Sequence, residues 1–312
     1  MILITDITNC LGNDLLFALD EKENMGPIRV ISDGKQYTLP DCRRLKPEIF
    51  TASLFDMPSL DKAFKDADQL VICNSNFLQD YRPAYTNLVR CAQEAGVGHI
   101  IFVSTLFRSG ASSRMVREDR EIENLIKYSG IPYTILRTNM LMEYLPFFIG
   151  TTVENEHIYY PGGNGRVGFV SSKDVAKVIS ELLMENKPAN KVYTLTHEIS
   201  YSFEDIADKL SRQTGCKIIY EPIALDIYEE ALLDMNLPIY VVKRLSSVAV
   251  AITRNEFDQT GYTLQKMLNK ENSLPKLKSG IKSWFFRKEP EPLEWSRSLT
   301  SLSDYLRQTY SA

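Results

Sequence analysis

The first nineteen residues, MILITDITNCLGNDLLFAL (1–19), decide the fold of this chain. The apolar run at 1–4 predicts a buried strand, the polar residues at 5–10 predict a tight turn, and an apolar helix begins at Leu11. A strand, a turn and a helix in this order are typical of the first unit of a dinucleotide-binding sheet. We therefore expect an α/β chain whose parallel Rossmann sheet starts at its first residues.

The turn departs from the glycine pattern that usually contacts the diphosphate of a dinucleotide. Such turns carry glycine at three spaced positions, where this chain has Asp6, Asn9 and Gly12. Gly12 is the position that lets helix and strand pack closely, whereas Asp6 brings a carboxylate toward an anionic ligand. Two like charges ~4 Å apart repel by ~1 kcal/mol in water and ~4 kcal/mol at an effective dielectric constant of ~20. We therefore expect a dinucleotide fold whose cofactor affinity is weakened by about one to three decades.

Composition and charge exclude several classes of protein. The 312 residues are 44% hydrophobic and 24% charged, with a net charge of −4, as in an ordinary globular chain. This mild acidity gives no reason to expect nucleic acid or a membrane as a partner, and no run approaches the ~18 apolar residues of a membrane span. The cysteines and histidines lack metal-ligand spacing, so we expect no metal site and reduced thiols. Without a signal-peptide pattern at its start, the chain is expected to be cytoplasmic.

Predicted strands and helices alternate along the first part of the chain. After the first strand, strand-like runs recur at 28–31, 48–52, 69–73, 99–103 and 132–136, with helical patterns between most of them. This rhythm predicts a doubly wound parallel sheet with right-handed crossovers. We assign 1–139 to this core, extended by parts of 166–195; 140–272 to a smaller α+β substrate lobe; and 273–312 to a C-terminal extension that contains aromatic residues.

Local signals in the second half of the chain predict two helix starts and a turn. Ser171 with Asp174, and Ser202 with Asp205, have the spacing of a capping box. The glycine-rich stretch YPGGNG (160–165) has no helix directly after it, so we interpret it as a turn rather than a phosphate loop.

The C-terminal extension is rich in proline and aromatic residues. We expect its aromatic side chains to be buried on the domain or on another subunit, and a terminal helix over 299–310. The aromatic residues concerned are Trp284, Phe285, Phe286 and Trp295.

Polar residues at the strand ends mark the candidate ligand site, because ligands bind at the carboxyl edge of such sheets. Asp33, after the second strand, would accept a hydrogen bond from a ribose hydroxyl and favour NAD. Lys35 would instead pair with a 2′-phosphate and favour NADP, and an ordinary surface turn is the alternative to both. Polar pairs also follow the fourth and fifth strands: Asn74 with Ser75, and Ser104 with Thr105.

Five stretches, taken in order, resemble the motifs of one family. They are ILITDITNCLG (2–12), ASLFDMPSLDKAFKDAD (52–68), NLVRCAQEAGVGHIIFVST (87–105), YSGIPYTILRTNMLMEYL (128–145), and FVSSKDVAKVISELL (169–183) followed by VYTLTHEISYSFEDIADKLSRQTG (192–215). From residue 1 to about 225 the chain is similar to the NmrA-like branch of the atypical short-chain dehydrogenases/reductases. That branch includes quinone reductases, isoflavone-reductase-like enzymes and the redox-sensing regulator NmrA.

The resemblance implies a site for NAD or NADP along the carboxyl edge of the sheet. Leu54 would lie against the adenine, 74–75 would run along the cofactor, and Ser104 and Thr105 would edge the nicotinamide. The turn that meets the pyrophosphate would comprise Thr5, Asp6, Thr8, Asn9, Cys10, Leu11 and Gly12. The substrate pocket would be formed by Arg137, Thr138, Asn139 and Met140.

The same resemblance points to catalytic candidates on the helix at 115–128. Reductases of this branch carry a lysine or histidine there that handles the proton, and alignment on the Ser-Gly-Ile at 129–131 puts Asp119 in that place, flanked by Arg117 and Arg120. Asp119 would donate a proton only if burial raised its pKa, whereas the arginines would stabilise an oxyanion. With Thr105 these residues form the catalytic set, and the Tyr-x-x-x-Lys pair of conventional short-chain dehydrogenases is absent.

Three functions stay open at this point. The first is NAD(P)H-linked reduction of a quinone, enone or carbonyl compound, and the second is a cofactor-independent lyase, isomerase or cyclase that reuses the pocket. The third is a non-catalytic redox-sensing or partner-binding protein of the NmrA type, with a homodimer or protein partner bound through the C-terminal extension. Cys10 adds a redox alternative, because a helix N-terminus lowers a thiol pKa, against a small buried apolar residue.

Overall fold

The structure is a computed structural model that describes residues 1–5, 9–23, 25–33, 40–73, 81–150, 156–186, 190–268 and 299–310. Its strands are β1 (Ile2–Thr5), β2 (Ile28–Ser32), β3 (Glu48–Thr51), β4 (Gln69–Ile72), β5 (His99–Thr105), β6 (Tyr133–Thr138), β7 (His157–Tyr159), β8 (Arg166–Val167), β9 (Lys191–Leu195), β10 (Tyr201–Ser202) and β11 (Ile219–Glu221). Within these ranges, seven strands form one sheet in the order β3-β2-β1-β4-β5-β6-β9. Every neighbouring pair in it is parallel, which confirms the predicted doubly wound sheet.

The helices of the described chain alternate with these strands and then build the smaller lobe. They are α1 (Cys10–Asp20), α2 (Met57–Ala63), α3 (Tyr81–Glu94), α4 (Arg114–Tyr128), α5 (Leu145–Ile149), α6 (Ser172–Glu185), α7 (Phe203–Thr214), α8 (Leu225–Asp234), α9 (Ile239–Thr253), α10 (Thr263–Leu268) and α11 (Leu302–Tyr310), with a 3-10 turn at Met142–Tyr144.

Two apolar layers cover the sheet because alternate strand residues point to opposite faces. Ile2 and Ile4 pack with α1 and α6 on one face, whereas Leu3 packs with α2, α3 and α4 on the other. Residues of β4 and β5 divide in the same way, so these strands are buried on both sides, as parallel strands usually are. This burial fixes the register, and with it the position of every strand end at the carboxyl edge.

The smaller lobe has its own aromatic core, built around α5, α7, α8 and α9. The glycine-rich stretch packs against the end of α9: a Cβ on Gly165 would lie 2.0 Å from the carbonyl oxygen of Ile252. The hydroxyl of Thr253 also donates to the carbonyl of Pro161 at 3.0 Å. These contacts agree with the interpretation of 160–165 as a packed turn.

The end of the chain connects the two parts of the molecule. Leu302 and Leu306 of α11 are fully buried in the core of the smaller lobe, and Leu299 packs with the α1–α6 layer of the sheet. The backbone N–H of Thr300 donates to Asp174 at the start of α6, at 2.8 Å. The predicted terminal helix is confirmed over α11, whereas the four aromatic residues at 284–286 and 295 lie outside the described residues.

Candidate functional site

A cleft lies at the carboxyl ends of β5 and β6, between the sheet and the smaller lobe. About 830 Å³ of space lies within it, open solvent at its mouth included. Its apolar lining residues are Leu11, Val103, Met115, Met140, Leu141, Phe147, Phe148, Leu245, Val248 and Phe257. Its polar lining residues are Asn9, Ser104, Thr105, Thr138, Asn139, Tyr144 and Arg244. An apolar wall with few polar groups favours a ligand with a hydrophobic body and one or two polar atoms.

The ends of β5 and β6 supply the polar floor of this cleft. Ser104 lies beside Arg137, and Thr105 beside Thr138, in the paired strands. The hydroxyl of Thr138 donates to the Ser104 carbonyl at 3.4 Å, and Thr105 is half-buried at the cleft. The hydroxyl of Ser104 points away from this floor and donates to Glu123 of α4 at 2.8 Å. Successive strand residues thus serve opposite sides of the sheet.

Glu123 is the centre of an ion-pair network behind the cleft. Its carboxylate is fully buried and accepts hydrogen bonds from Arg137 at 2.6 and 2.8 Å, from Lys127 at 3.1 Å and from Arg120. Burial alone would raise the pKa of this carboxyl, but the Arg137 hydrogen bonds and the charges of Arg120 and Arg137 outweigh burial and lower the pKa to about 2. Glu123 is therefore ionised throughout the neutral range.

This network corrects two expectations from the sequence. Neither Arg137, expected to close the substrate pocket, nor Arg120, expected to stabilise an oxyanion, lines the cleft. Both guanidinium groups are engaged by Glu123 instead. Arg117, the third arginine of the set, is exposed and donates to the backbone carbonyl of Ser112 at 3.1 Å, again away from the cleft.

Asp119 lies one turn before Glu123 on α4 and is also buried. Its carboxylate accepts a hydrogen bond from the backbone N–H of Thr105 at 3.2 Å and does not line the cleft. Of the four catalytic candidates, Thr105 alone is a lining residue, and Asp119 contacts the backbone that carries it. The predicted proton-donor position therefore lies behind the end of β5.

Asn139 and Met140 line the cleft, and the Asn139 amide forms part of its wall. The side-chain N–H groups of Asn139 donate to the carbonyls of Phe257 and Gln259, both at 3.1 Å, and its oxygen accepts from the Met140 N–H at 2.9 Å. A Cβ on Gly168 would lie 2.9 Å from the same amide nitrogen, so only glycine fits beside it. Asn139 thus holds the loop that brings Phe257 into the cleft.

The N-terminus of α1 forms the end of the cleft nearest β1. Asn9 and Leu11 line it, and the Asn9 side-chain oxygen caps the helix by accepting from the Gly12 N–H at 2.8 Å. Burial, followed by the nearby carboxylates of Glu143 and Asp14, raises the pKa of the Cys10 thiol to about 12. This shift is opposite to the lowered pKa that the redox alternative for Cys10 needs, because burial and like charge outweigh the helix end.

The described residues at this end are the end of β1 and the first turn of α1. Thr5 ends β1, and Gly12 is buried in the first turn of α1. The acidic neighbours of Cys10 are bound elsewhere: Glu143 accepts from the Ser172 N–H at 3.0 Å, and Asp14 accepts from the Ser172 hydroxyl. Both carboxylates nevertheless raise the pKa of Cys10, so an anionic ligand at the first turn of α1 would meet negative charge there.

The remaining predicted cofactor residues lie away from this cleft or outside the described chain. Asp33 is exposed after the end of β2, and Leu54 is half-buried after β3, where an adenosine extending along the edge would lie. The predicted residues outside the described ranges are Asp6, Thr8, Lys35, Asn74 and Ser75. In the described chain, no three His, Cys, Asp or Glu residues are grouped so as to hold a metal, and no helix is long and apolar enough to cross a membrane.

Two polar lining residues, Tyr144 and Arg244, were not predicted from the sequence. Tyr144, after β6, brings a hydroxyl-bearing ring to the cleft, with its ring centroid 6.4 Å from that of Phe147. Arg244 of α9 donates to Glu118 of α4 at 2.7 Å and so connects the smaller lobe to the core. No local sequence signal turns the Tyr144 ring toward the cleft or brings α9 against α4.

Comparisons with known proteins agree with this fold. The sequence model described as the NmrA-like family matches residues 35–298. Quinone oxidoreductase 2 of Escherichia coli (strain K12) is 24% identical over 215 residues, which cover 68% of this chain and 74% of that protein. Triphenylmethane reductase of Citrobacter sp., complexed with NADP(H), matches at a TM-score of 0.78 and 23% identity, over 99% of this chain and 100% of that one. The NADPH complex of an Escherichia coli NADPH-dependent quinone oxidoreductase matches at a TM-score of 0.76 and 22% identity, over 86% of this chain and 94% of that one.

Proposed function

The chain belongs to the NmrA-like family, and we propose that it is an NAD(P)H-linked reductase of a small planar quinone, enone or carbonyl compound. The observation that carries the proposal is the continuity of the cleft, which runs from the start of α1 to a wall of aromatic side chains. A nicotinamide nucleotide held at α1 and a flat acceptor held against Phe148 and Phe257 would lie side by side in it. The relatives named as NADPH-dependent quinone and triphenylmethane reductases support this assignment.

The chain's own residues would bind and orient the acceptor. When bound, the cofactor supplies a hydride. The aromatic wall would stack on the flat face of the acceptor and exclude water, which strengthens polar contacts in the cleft. The hydroxyls of Thr105 and Tyr144 would donate hydrogen bonds to the acceptor oxygen as negative charge develops there. Asp119 would act as a positioning residue, because its carboxylate holds the backbone N–H of Thr105.

Anaerobic turnover with a simple quinone tests the proposal. The full chain is mixed with NADPH or NADH and menadione, and loss of the reduced nucleotide is followed against the quinol formed. We expect one quinol per nucleotide oxidised, at a rate proportional to protein concentration. Failure to oxidise either nucleotide with menadione, a cyclic enone or an aromatic aldehyde would overturn the proposal, whereas a cofactor-independent enzyme would leave both nucleotides unchanged.

A further inference from the structure

Phe147 is an exposed aromatic residue at the mouth of the cleft. It lines the cleft and is 67% exposed, whereas Phe148 and Phe257, against which a flat acceptor would lie, are buried. A single exposed phenylalanine on a protein surface is ordinary and needs no explanation. This one, however, extends the aromatic wall of the cleft toward solvent, so a ligand that projects from the inner wall would meet its ring.

The short helix α5 fixes the position of Phe147. Phe147 and Phe148 are consecutive on this helix, so their side chains point about 100° apart. Phe148 packs on Tyr160 of the smaller lobe, with ring centroids 5.3 Å apart, and Leu145 and Ile149 are buried as well. Three buried side chains therefore hold the backbone of α5, which keeps the Phe147 ring at the mouth.

A ligand ring that covers Phe147 would replace water with aromatic contact. The ring of Tyr144 is a neighbour of the Phe147 ring, with centroids 6.4 Å apart and planes inclined at 55°. Offset and tilted ring pairs contribute ~0.5–1.5 kcal/mol beyond the burial of their area. Because consecutive Cα atoms are only ~3.8 Å apart, a ligand slightly longer than one ring reaches both Phe148 and Phe147.

These contacts distinguish ligands by the number of their fused rings. A single ring held against the inner wall leaves Phe147 in water, whereas a second fused ring covers it. We propose that Phe147 is a specificity-determining residue, which binds the outer ring of the ligand, so that the cleft selects flat compounds of two or more fused rings. As the acceptor class of a reductase, the inference rests on the proposed function; as ligand recognition, it is measured without turnover.

Two ligands that accept no hydride test this recognition. Isothermal titration of the full chain with phenol and with 2-naphthol, with no nicotinamide nucleotide present, compares one ring with two. In Phe147→Ala, 2-naphthol should bind about tenfold more weakly than in the wild type, which corresponds to ~1.4 kcal/mol, while phenol changes by less than about twofold. Phe147→Trp, which keeps a flat aromatic side chain, should retain the wild-type selectivity.

Phe17 is the matched control. It is 46% exposed on α1 and lies outside the residues that line the cleft, so Phe17→Ala removes the same side chain and should leave both affinities unchanged. Decahydro-2-naphthol has the carbon skeleton of 2-naphthol without its flat rings, and the wild type should bind it more weakly.

Three results would overturn the inference. The first is that 2-naphthol does not bind the wild type saturably, and the second is that decahydro-2-naphthol binds it as tightly. The third is that the selectivity for 2-naphthol over phenol is unchanged in Phe147→Ala, or falls equally in Phe17→Ala.

The titration and the turnover assay fail independently. A selectivity for 2-naphthol that depends on Phe147, without nucleotide oxidation, would overturn the reductase and leave the recognition intact. Quinone turnover with the same selectivity in Phe147→Ala and the wild type would do the reverse.

Discussion

The ends of β5 and β6 present two different regions on the two sides of one sheet. On the cleft side, Thr105 and Thr138 form a polar floor, and the Thr138 hydroxyl donates to the Ser104 carbonyl at 3.4 Å. On the opposite side, a fully buried Glu123 accepts hydrogen bonds from the Ser104 hydroxyl and the Arg137 guanidinium, although Ser104 also lines the cleft. Neighbouring residues of a strand face opposite sides of the sheet. One residue of a short motif can therefore contact a ligand while the next stabilises the fold, so adjacency in the sequence does not imply a shared function.

The two regions should also differ in what a substitution costs. Removing one partner of a buried ion pair leaves unpaired charge and typically costs ~3–5 kcal/mol. A hydroxyl on the floor of an open cleft contributes little to folding, but its hydrogen bond to a developing oxyanion contributes directly to rate. We therefore expect the back of the strands to govern stability and the front to govern turnover.

The largest expected effect is on stability, at Glu123. Glu123→Gln leaves Arg120, Lys127 and Arg137 without their shared carboxylate, so the free energy of unfolding in urea should fall by about 3 kcal/mol. Glu121→Gln, at an exposed position two residues earlier, is the control and should cost less than about 1 kcal/mol. Equal costs for the two variants would contradict the network's role.

Glu123→Gln should also change how the stability of the protein depends on pH. The Glu123 carboxyl has a folded-state pKa of about 2 against an ordinary value of 4.5, so its stabilisation is present above about 4.5 and is lost as the pH falls toward 2. The wild type should therefore lose stability over that acid range, and Glu123→Gln should lose less. If the two proteins lost equal stability between pH 4.5 and pH 2, the Glu123 carboxyl would not be stabilised by its arginine partners.

The next effect separates two adjacent residues by their readouts. Thr105→Val should lower kcat/KM for quinone reduction by about tenfold or more while stability stays within about 1 kcal/mol, because one oxyanion hydrogen bond is lost. Ser104→Ala should reduce stability by ~1 kcal/mol, with activity within about twofold, because its hydroxyl bonds Glu123. If Thr105→Val instead lowered stability and Ser104→Ala lowered kcat/KM, the assignment of these two residues to turnover and to stability would be refuted.

The fold was largely predictable because its signals are local. Alternating strands and helices over 1–139 predicted the parallel sheet, and Ser202 with Asp205 forms the expected capping box at the start of α7. The other predicted box is incomplete: Ser171 caps α6, but Asp174 accepts from the N–H of Thr300 instead. A contact across 126 positions of sequence has no local signal, which is why this expectation was only half right.

The site was predictable only in its position along the sheet edge. Thr105, Thr138, Asn139 and Met140 were expected there and line the cleft. Arg137 was placed with them because the motif is contiguous, although the side chain's face depends on the strand's pleat and on Glu123. Tyr144 and Arg244 depend on how the smaller lobe docks, which is a tertiary property. Roles for these residues stay predictions.

The smallest expected effect is at the α1 end of the cleft, at Asn9. Its side-chain oxygen occupies the Gly12 N–H, a donor that a diphosphate would otherwise accept. Asn9→Gly releases that donor at a cost of only a few tenths of a kcal/mol to the helix cap. NADPH should therefore bind about three- to tenfold more tightly to the variant, as one hydrogen bond allows. Weaker binding would mean that the capped conformation itself forms the nucleotide site.

Nucleotide binding to the wild type tests the central claim, which is that this cleft holds a nicotinamide nucleotide beside an aromatic wall. Isothermal titration with NADPH and with NADH measures the binding without requiring a substrate. We predict saturable binding of at least one nucleotide at micromolar concentration, competed by the oxidised form. No binding of either nucleotide up to millimolar concentration would contradict the account.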